Sequence, residues 1–268
     1  MEIREITAKR ILTPSRIAGI DYSLNPYLGC SFGCRYCYVA WMPHVRARGV
    51  RWGEFVEAKA NAPALLRKEL RRAAPGTVAI GISTDPYQPV EARFRLTERV
   101  LEILREGSAR ERGFRVRILT KSPLVLRDLG FFQGLDAEVG LTVTTDSEAI
   151  RRIFEPKAPP IPLRVRAIRA LKGAGVRTYA FLGPLLPMDP EQLVRMLSGA
   201  VDRVILDRMN YAWRVRDIYY AHGLGYALSD DFFLDLAREL VELFSREGIP
   251  AEPAGRWASR LRRGFAGL

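Results

Sequence analysis

The sequence predicts an α/β fold, a parallel sheet with helices on its outside. Short apolar runs of strand length alternate with longer amphipathic stretches through most of the chain, as in repeated βα units. The apolar runs are continuous rather than alternating, which suits strands covered on both faces. No repeat, low-complexity block or long linker divides the 268 residues. A doubly wound sheet and a barrel both satisfy this pattern.

Each element has its own signal. Expected strands are Ile17–Leu24, Thr77–Thr84, Arg115–Thr120, Glu138–Thr144, Arg177–Leu182 and Arg203–Leu206, chosen as apolar runs of strand length. Helical periodicity fills the gaps at Ala62–Arg72, Thr97–Glu106, Ser122–Phe132, Pro162–Lys172, Pro190–Ser198 and Ser229–Arg246. Thr97, Ser122 and Ser229 are expected N-caps, because a hydroxyl there can accept from an orphan backbone N–H. Gly173, Gly175 and Gly248 are expected stops. In either architecture, functional residues gather at the carboxyl ends of the strands. That rule selects Cys30–Cys37, Ser83–Asp85, Thr120–Ser122, Thr142–Asp146, Gly183–Pro184 and Asp207–Asn210.

Composition narrows the class. With 48% hydrophobic and 27% charged residues, the chain can build an ordinary globular core. No apolar run approaches the roughly 20 residues that span a bilayer, and Met1–Arg10 lacks the apolar segment of a secretory signal. A cytoplasmic location is expected, with no membrane partner. The net charge is +12, which meets the electrostatic criterion for an anionic partner such as nucleic acid. Much of that charge is arginine on helices, as at Arg67–Arg72, where a solvated face explains it equally well. Arg256–Arg263, which includes Trp257, is the densest basic stretch.

The chain has three cysteines, Cys30, Cys34 and Cys37, spaced C-x3-C-x2-C with Tyr36 just before the third. Thiolates are soft ligands for iron–sulfur clusters, zinc or copper(I). A four-iron cube ordinarily takes four cysteines, so three close thiols and no fourth suggest a cluster with one iron left open. A zinc site formed with His44 would complete a Cys3His set. Its ligands would all fall within fifteen residues, though, where zinc ligands usually come as two separated pairs. Neither a helix-turn-helix nor an aromatic RNA-binding signature is present to mark a simple nucleic-acid-binding module.

The cysteine motif after a first strand, followed by six βα units, resembles the radical S-adenosylmethionine (SAM) enzymes over about residues 15–250. The fuller stretches Asn25–Tyr38, Gly81–Glu91 and Leu119–Ser122 are similar to the branch related to spore photoproduct lyase, the DNA repair photolyase-like proteins. The resemblance implies a partial (β/α)6 TIM-type barrel over residues 17–250, with an extension at 1–16 and a basic tail at 251–268. It implies that Cys30, Cys34 and Cys37 hold a [4Fe–4S] cluster whose open iron is chelated by SAM, and that a donor such as flavodoxin or ferredoxin supplies an electron. Reductive cleavage would yield a 5′-deoxyadenosyl radical, which abstracts hydrogen from a substrate.

By strand position the resemblance also assigns SAM contacts. Tyr36 would pack beside the cluster or adenine. Ser83, Thr84 and Asp85 would receive the methionine amino group. Thr142 and Thr144 would meet ribose or carboxylate, and Arg164 the methionine carboxylate. Lys121 suits either a substrate phosphate or a structural ion pair. The expected substrate is a nucleic-acid lesion or base, the alternative a protein or small metabolite. One departure matters: spore photoproduct lyase uses a further cysteine near the end of its second strand to return hydrogen, and Ala79–Asp85 has none. Repair by that thiol route is therefore not expected. Tyr87 is a candidate alternative donor.

Overall fold

Strand order decides between the two architectures. In the computed structural model, which describes residues 1–106 and 113–255, eight strands form one sheet. They are β2 (Leu12–Pro14), β3 (Tyr22–Leu24), β6 (Thr77–Ile80), β7 (Arg115–Thr120), β8 (Ala137–Thr142), β9 (Arg177–Leu182), β10 (Arg203–Leu206) and β11 (Ala251–Pro253). They lie side by side in the order β11-β10-β9-β8-β7-β6-β3-β2. Every neighbouring pair from β3 to β11 is parallel, and β2 closes one edge antiparallel to β3. The order never reverses, which excludes a doubly wound sheet. Right-handed crossovers taken always in one direction put the helices on one face. The edges β2 and β11 do not pair with each other. The fold is an α/β partial barrel.

Three of the expected strands, β7, β9 and β10, have the expected bounds. β6 stops four residues short, at Ile80, because Gly81 turns the chain out of the sheet at φ +103°. A Cβ there would lie 2.2 Å from the Leu119 carbonyl oxygen. The expected strand Ile17–Leu24 is reduced to β3, since Asp21 already turns its carboxylate back to accept from Thr77 N at 2.7 Å. A small second sheet was not anticipated. It joins β1 (Glu2–Ile6), β5 (Phe55–Lys59) and β4 (Tyr27–Leu28) in the order β1-β5-β4.

The helices Ala62–Leu70, Leu96–Arg105, Ile161–Gly173, Pro190–Leu197 and Asp230–Arg246 fall where periodicity placed them. Ser229 caps the last, accepting from Phe232 N at 3.1 Å, and Ser122 accepts from Leu124 N at 3.2 Å. The segment after Ser122 is a 3-10 turn, Pro123–Asp128, followed by a single α turn, Leu129–Phe132, rather than one helix. Thr97 is not an N-cap. It lies inside its helix and donates its hydroxyl to the Pro86 carbonyl at 2.7 Å, while the buried Glu91 carboxylate accepts from Thr97 N and Glu98 N. Gly175 and Gly248 end their helices with φ near +80° and +70°. The following residues, Val176 and Ile249, bond back to Leu171 and Phe244, the 6→1 closure of a Schellman motif.

The main core runs through the sheet and its covering helices, from Leu24, Val78 and Ile118 to Leu206, Leu236 and Phe244. On the face of the sheet opposite Ala180 and Leu182, beside the Arg203 guanidinium, the Tyr179 ring of β9 crosses over Gly140 of β8, so that its hydroxyl reaches the Ile118 carbonyl of β7 at 3.0 Å. A Cβ on Gly140 would sit 2.2 Å from that ring. Gly140→Ala is therefore expected to lower stability by about 1–3 kcal/mol through overpacking, read as a lower urea midpoint with an unchanged m-value.

Candidate active site

The thiol loop leaves β4 at the mouth of the barrel. Gly29 turns it at φ +83°, where a Cβ would meet the Phe55 carbonyl oxygen of β5 at 2.4 Å. Gly33, at φ +57°, lets the loop approach the Gly53 backbone, and a Cβ there would lie 3.1 Å from Gly53 Cα. A tether from the opposite side fixes the loop. Thr84 donates its hydroxyl to the Gly29 carbonyl at 2.7 Å. Gln88, fully buried, donates to the same carbonyl and to Thr84 Oγ1, and accepts from Ser31 N at 2.9 Å. One amide thus satisfies both ends of the turn that carries Cys30.

Cys30 and Cys34 are buried, Cys37 is partly so, and all three are free thiols. Burial pushes each above the ordinary thiol range, Cys34 to about 12, with Lys121 opposing the shift at Cys34 and Cys37. Beside them Ser31 Oγ and Trp52 Nε1 are buried without a hydrogen-bond partner among the described residues. Three desolvated soft donors with one cation nearby, plus two orphan donors, make a site that fits a thiolate-bound metal cluster. Binding there must displace thiol protons. The donor set does not fit zinc with His44. His44 is exposed on the Pro43–Arg46 turn, whereas Cys30 and Cys34 are buried. Among the described residues, no three His, Cys, Asp or Glu side chains are placed to hold one ion.

Next to the thiols lies a charged centre built on Glu155, which sequence reasoning passed over. Glu155 follows the Glu148–Phe154 helix and is fully buried. Its carboxylate pairs with Arg164, accepts from the Tyr36 hydroxyl and from Thr144 Oγ1 at 3.2 Å, and lies 3.8 Å from Lys121 Nζ. Burial alone would raise its pKa. Arg164, Lys121 and the hydrogen bonds outweigh burial and hold it below the ordinary range. Burial opposes the charge on Lys121, but Cys34 and Glu155 raise its pKa above normal. Its ammonium also stands 5.8 Å from the Tyr36 ring centroid. Lys121 is thus in an ion pair, one of its two expected roles.

The remaining expected residues gather at the same mouth. Thr84 holds the thiol loop, as described. Ser83 N donates to Asn25 Oδ1 at 3.0 Å. Asp85 joins two strand ends, accepting from Thr120 Oγ1 at 2.6 Å, Lys121 N at 2.7 Å and Tyr87 N at 2.9 Å. Burial raises its pKa against those bonds. Thr142 offers its carbonyl to Arg164 Nη1 at 3.0 Å, and Arg164 Nε donates to the Pro159 carbonyl at 2.9 Å. With its head group engaged by Glu155, Thr142 and Pro159, Arg164 is a positioning group. Tyr87 does not fit a hydrogen donor at the mouth. It is fully buried, its hydroxyl donating to Asp128 at 3.0 Å, in a network in which Arg127 bridges Asp128 and Glu91.

Two outcomes follow from this geometry. Gln88→Leu strands Ser31 N and weakens the hold on Gly29, so reconstituted protein should carry clearly less iron and sulfide per chain than wild type, measured by colorimetric assay. Glu155→Gln leaves Arg164 buried without its counter-charge and should cost about 3–5 kcal/mol at neutral pH, read from denaturant midpoints. Because the folded pKa of Glu155 lies below its unfolded value, its stabilisation is present above about pH 4.5 and is lost as pH falls further;. The stability gap between wild type and Glu155→Gln should therefore narrow below that pH.

Comparison with known proteins gives the family. The chain is 33% identical over 197 residues to an uncharacterized protein of Methanocaldococcus jannaschii, covering 72% of both chains. It is 32% identical over 179 residues to an uncharacterized protein of Mycobacterium tuberculosis, covering 62% of this chain and half of that relative. In fold it is similar to spore photoproduct lyase complexed with dinucleoside spore photoproduct, with a TM-score of 0.68 and 14% identity over 93% of this chain and 81% of that one. It is also similar to Streptococcus suis SuiB bound to precursor peptide SuiA, with a TM-score of 0.58 and 12% identity over 98% of this chain and 51% of that one. The family model of the Radical SAM superfamily matches residues 24–198, from the last residue of β3, through the thiol loop, to the end of the helix after β9. This enzyme belongs to the radical SAM superfamily.

Proposed function

We propose that Cys30, Cys34 and Cys37 hold a [4Fe–4S] cluster and that SAM binds between the thiol loop and the strand ends at 83–85 and 142–144. When bound, these groups supply one-electron cleavage of the sulfonium to methionine and a 5′-deoxyadenosyl radical that removes hydrogen from a substrate. The observation that carries the reading is the buried three-thiol loop at the carboxyl mouth of a parallel partial barrel.

The chain's own groups have separate tasks. Gln88 and Thr84 hold the loop in register. Lys121 places one positive charge beside Cys34 and Cys37, which offsets the negative charge that three thiolates bring into a buried site. Ser83 and Asp85, on the segment that follows β6, would meet the methionine amino group. Thr142, the last residue of β8, and Thr144 just beyond it would meet ribose or carboxylate. Arg164 fixes Glu155, and Glu155 fixes Tyr36. A small reduced protein such as flavodoxin or ferredoxin would supply the electron, as expected of a cytoplasmic enzyme.

The substrate we infer is a nucleic-acid base or lesion. Support comes from the +12 net charge and from the fold shared with spore photoproduct lyase. All three cysteines of this sequence lie in the thiol loop, so we do not expect hydrogen return by a further thiol of the kind spore photoproduct lyase uses.

Anaerobic protein reconstituted with iron and sulfide, reduced with dithionite and given SAM should release 5′-deoxyadenosine and methionine, detected by liquid chromatography. Cys37→Ala should bring both below detection. Fully loaded wild-type protein that forms no 5′-deoxyadenosine, with or without nucleic acid, would falsify the reading.

A further inference from the structure

We propose that Tyr38, Trp41, Tyr211, Trp213 and Arg214 form a platform on which unpaired bases of single-stranded nucleic acid stack beside the thiol loop. The proposal rests on the nucleic-acid reading above and adds the surface and the strand state.

The platform comes from two short 3-10 turns. One, Tyr38–Trp41, begins at the residue after Cys37. The other, Ala212–Arg214, follows the carboxyl end of β10. They meet through the Trp41 and Tyr211 rings, edge to face at 5.8 Å between centroids. Tyr38, 36% exposed, opens the first turn beside Cys37 and donates its hydroxyl to the Ile82 carbonyl at 3.2 Å. Large aromatic surface is left in solvent here, with Trp213 63% and Tyr211 52% exposed. A contiguous exposed apolar patch of this kind marks a binding surface. Tyr211 presents its ring from a left-handed backbone, φ +60°, a conformation costly for a bulky residue and concentrated at functional sites.

Charge selects the occupant. The Arg214 guanidinium lies 4.2 Å from the Trp213 ring centroid and 5.4 Å from that of Trp41. Among the described residues it makes no ion pair, although most arginines around it do. Arg35, on the thiol loop itself, is also exposed and outside any ion pair among the described residues. Aromatic faces interleaved with uncompensated arginine suit a ligand carrying both π-faces and phosphates. Base–aromatic stacking needs no particular base, and the cations follow the backbone. Chemistry on a base also requires that base to be out of its duplex stack. A strand laid across Trp213 and Trp41 would present its next base to the mouth at Cys37.

The test is binding by the full chain, measured by fluorescence anisotropy with a short labelled thymidine oligonucleotide, its duplex form, and polyglutamate as a competitor. Wild type should prefer the single strand and resist polyglutamate. Trp213→Ala should weaken binding about tenfold to hundredfold, the loss of one base stack, whereas Trp213→Phe should keep most of it. Arg214→Ala should weaken binding and flatten its salt dependence. Trp213 is exposed, so thermal unfolding of Trp213→Ala should match wild type. The idea is overturned if Trp213→Ala and Arg214→Ala bind like wild type, if the duplex binds as well as the single strand, or if polyglutamate competes equally. Release of 5′-deoxyadenosine without nucleic acid is read separately, so failure here leaves the proposed SAM chemistry standing.

Discussion

The buried carboxylate of Glu155 is the constraint on which this mouth depends. A lone carboxylate cannot stay charged in a dry interior, so everything around it is arranged to keep it so. Arg164 comes from the helix after it, Thr144 from just beyond β8, Lys121 from the end of β7, and Tyr36 from the thiol loop. Four separate parts of the chain are thereby drawn to one point. The same pairing sets a local charge pattern. Glu155 sits between two cations, Arg164 and Lys121, which leaves one positive charge over; both oppose the upward shift of Cys34, and Lys121 also that of Cys37. A site meant to gather thiolates gains from that leftover charge.

A second buried network does the same for the opposite wall. Glu91 accepts from Tyr27 and caps the Leu96–Arg105 helix, and it shares Arg127 with Asp128, which in turn holds Tyr87. Tyr27 belongs to β4, so this network joins the small sheet to the segment carrying Gln88. The thiol loop starts from β4 and is tethered by Gln88 and Thr84. Both of its anchors therefore combine buried polar groups with apolar packing, of Tyr27 against Val56 and Leu96 and of Phe32 against Ala158. Fully satisfied polar networks of this kind rigidify a loop and fix a single geometry.

Much of this was legible in the sequence for physical reasons. β9 announces itself because most of it is buried on both faces, and β7 because Val116, Ile118 and Thr120 alternate as its buried positions. The thiol motif is equally plain, since its spacing is local. What stayed hidden depends on contacts distant in sequence. β4 has two residues, and β5 reads Phe-Val-Glu-Ala-Lys, so neither carries a periodic signal. Nothing local marks Glu155, and only folding brings Tyr36 to it from 119 residues away. Thr97 had the right residue type for a cap, yet Glu91 took that role through a turn that propensity does not describe. Tyr87 offered the right chemistry for a hydrogen donor, but its hydroxyl is spent inside the core.

The placement of the aromatic platform gives the thiol loop a second role. Between Cys37 and Trp41 the chain makes a single 3-10 turn, whose Val39 is buried against Val45 and Phe55. That turn is pinned at one end by the loop and at the other by Trp41, which joins the cluster around Phe154 and Tyr219. Phe154 immediately precedes Glu155 and accepts from Arg35 N at 2.8 Å through its carbonyl. A displacement of Trp41 would therefore press on the residues that position Glu155 and the loop. Packed interiors transmit strain rather than absorb it. An occupant of the platform and an occupant of the thiol site would accordingly act on the same few residues, so binding at one should alter affinity at the other, and by linkage the effect must be equal in both directions.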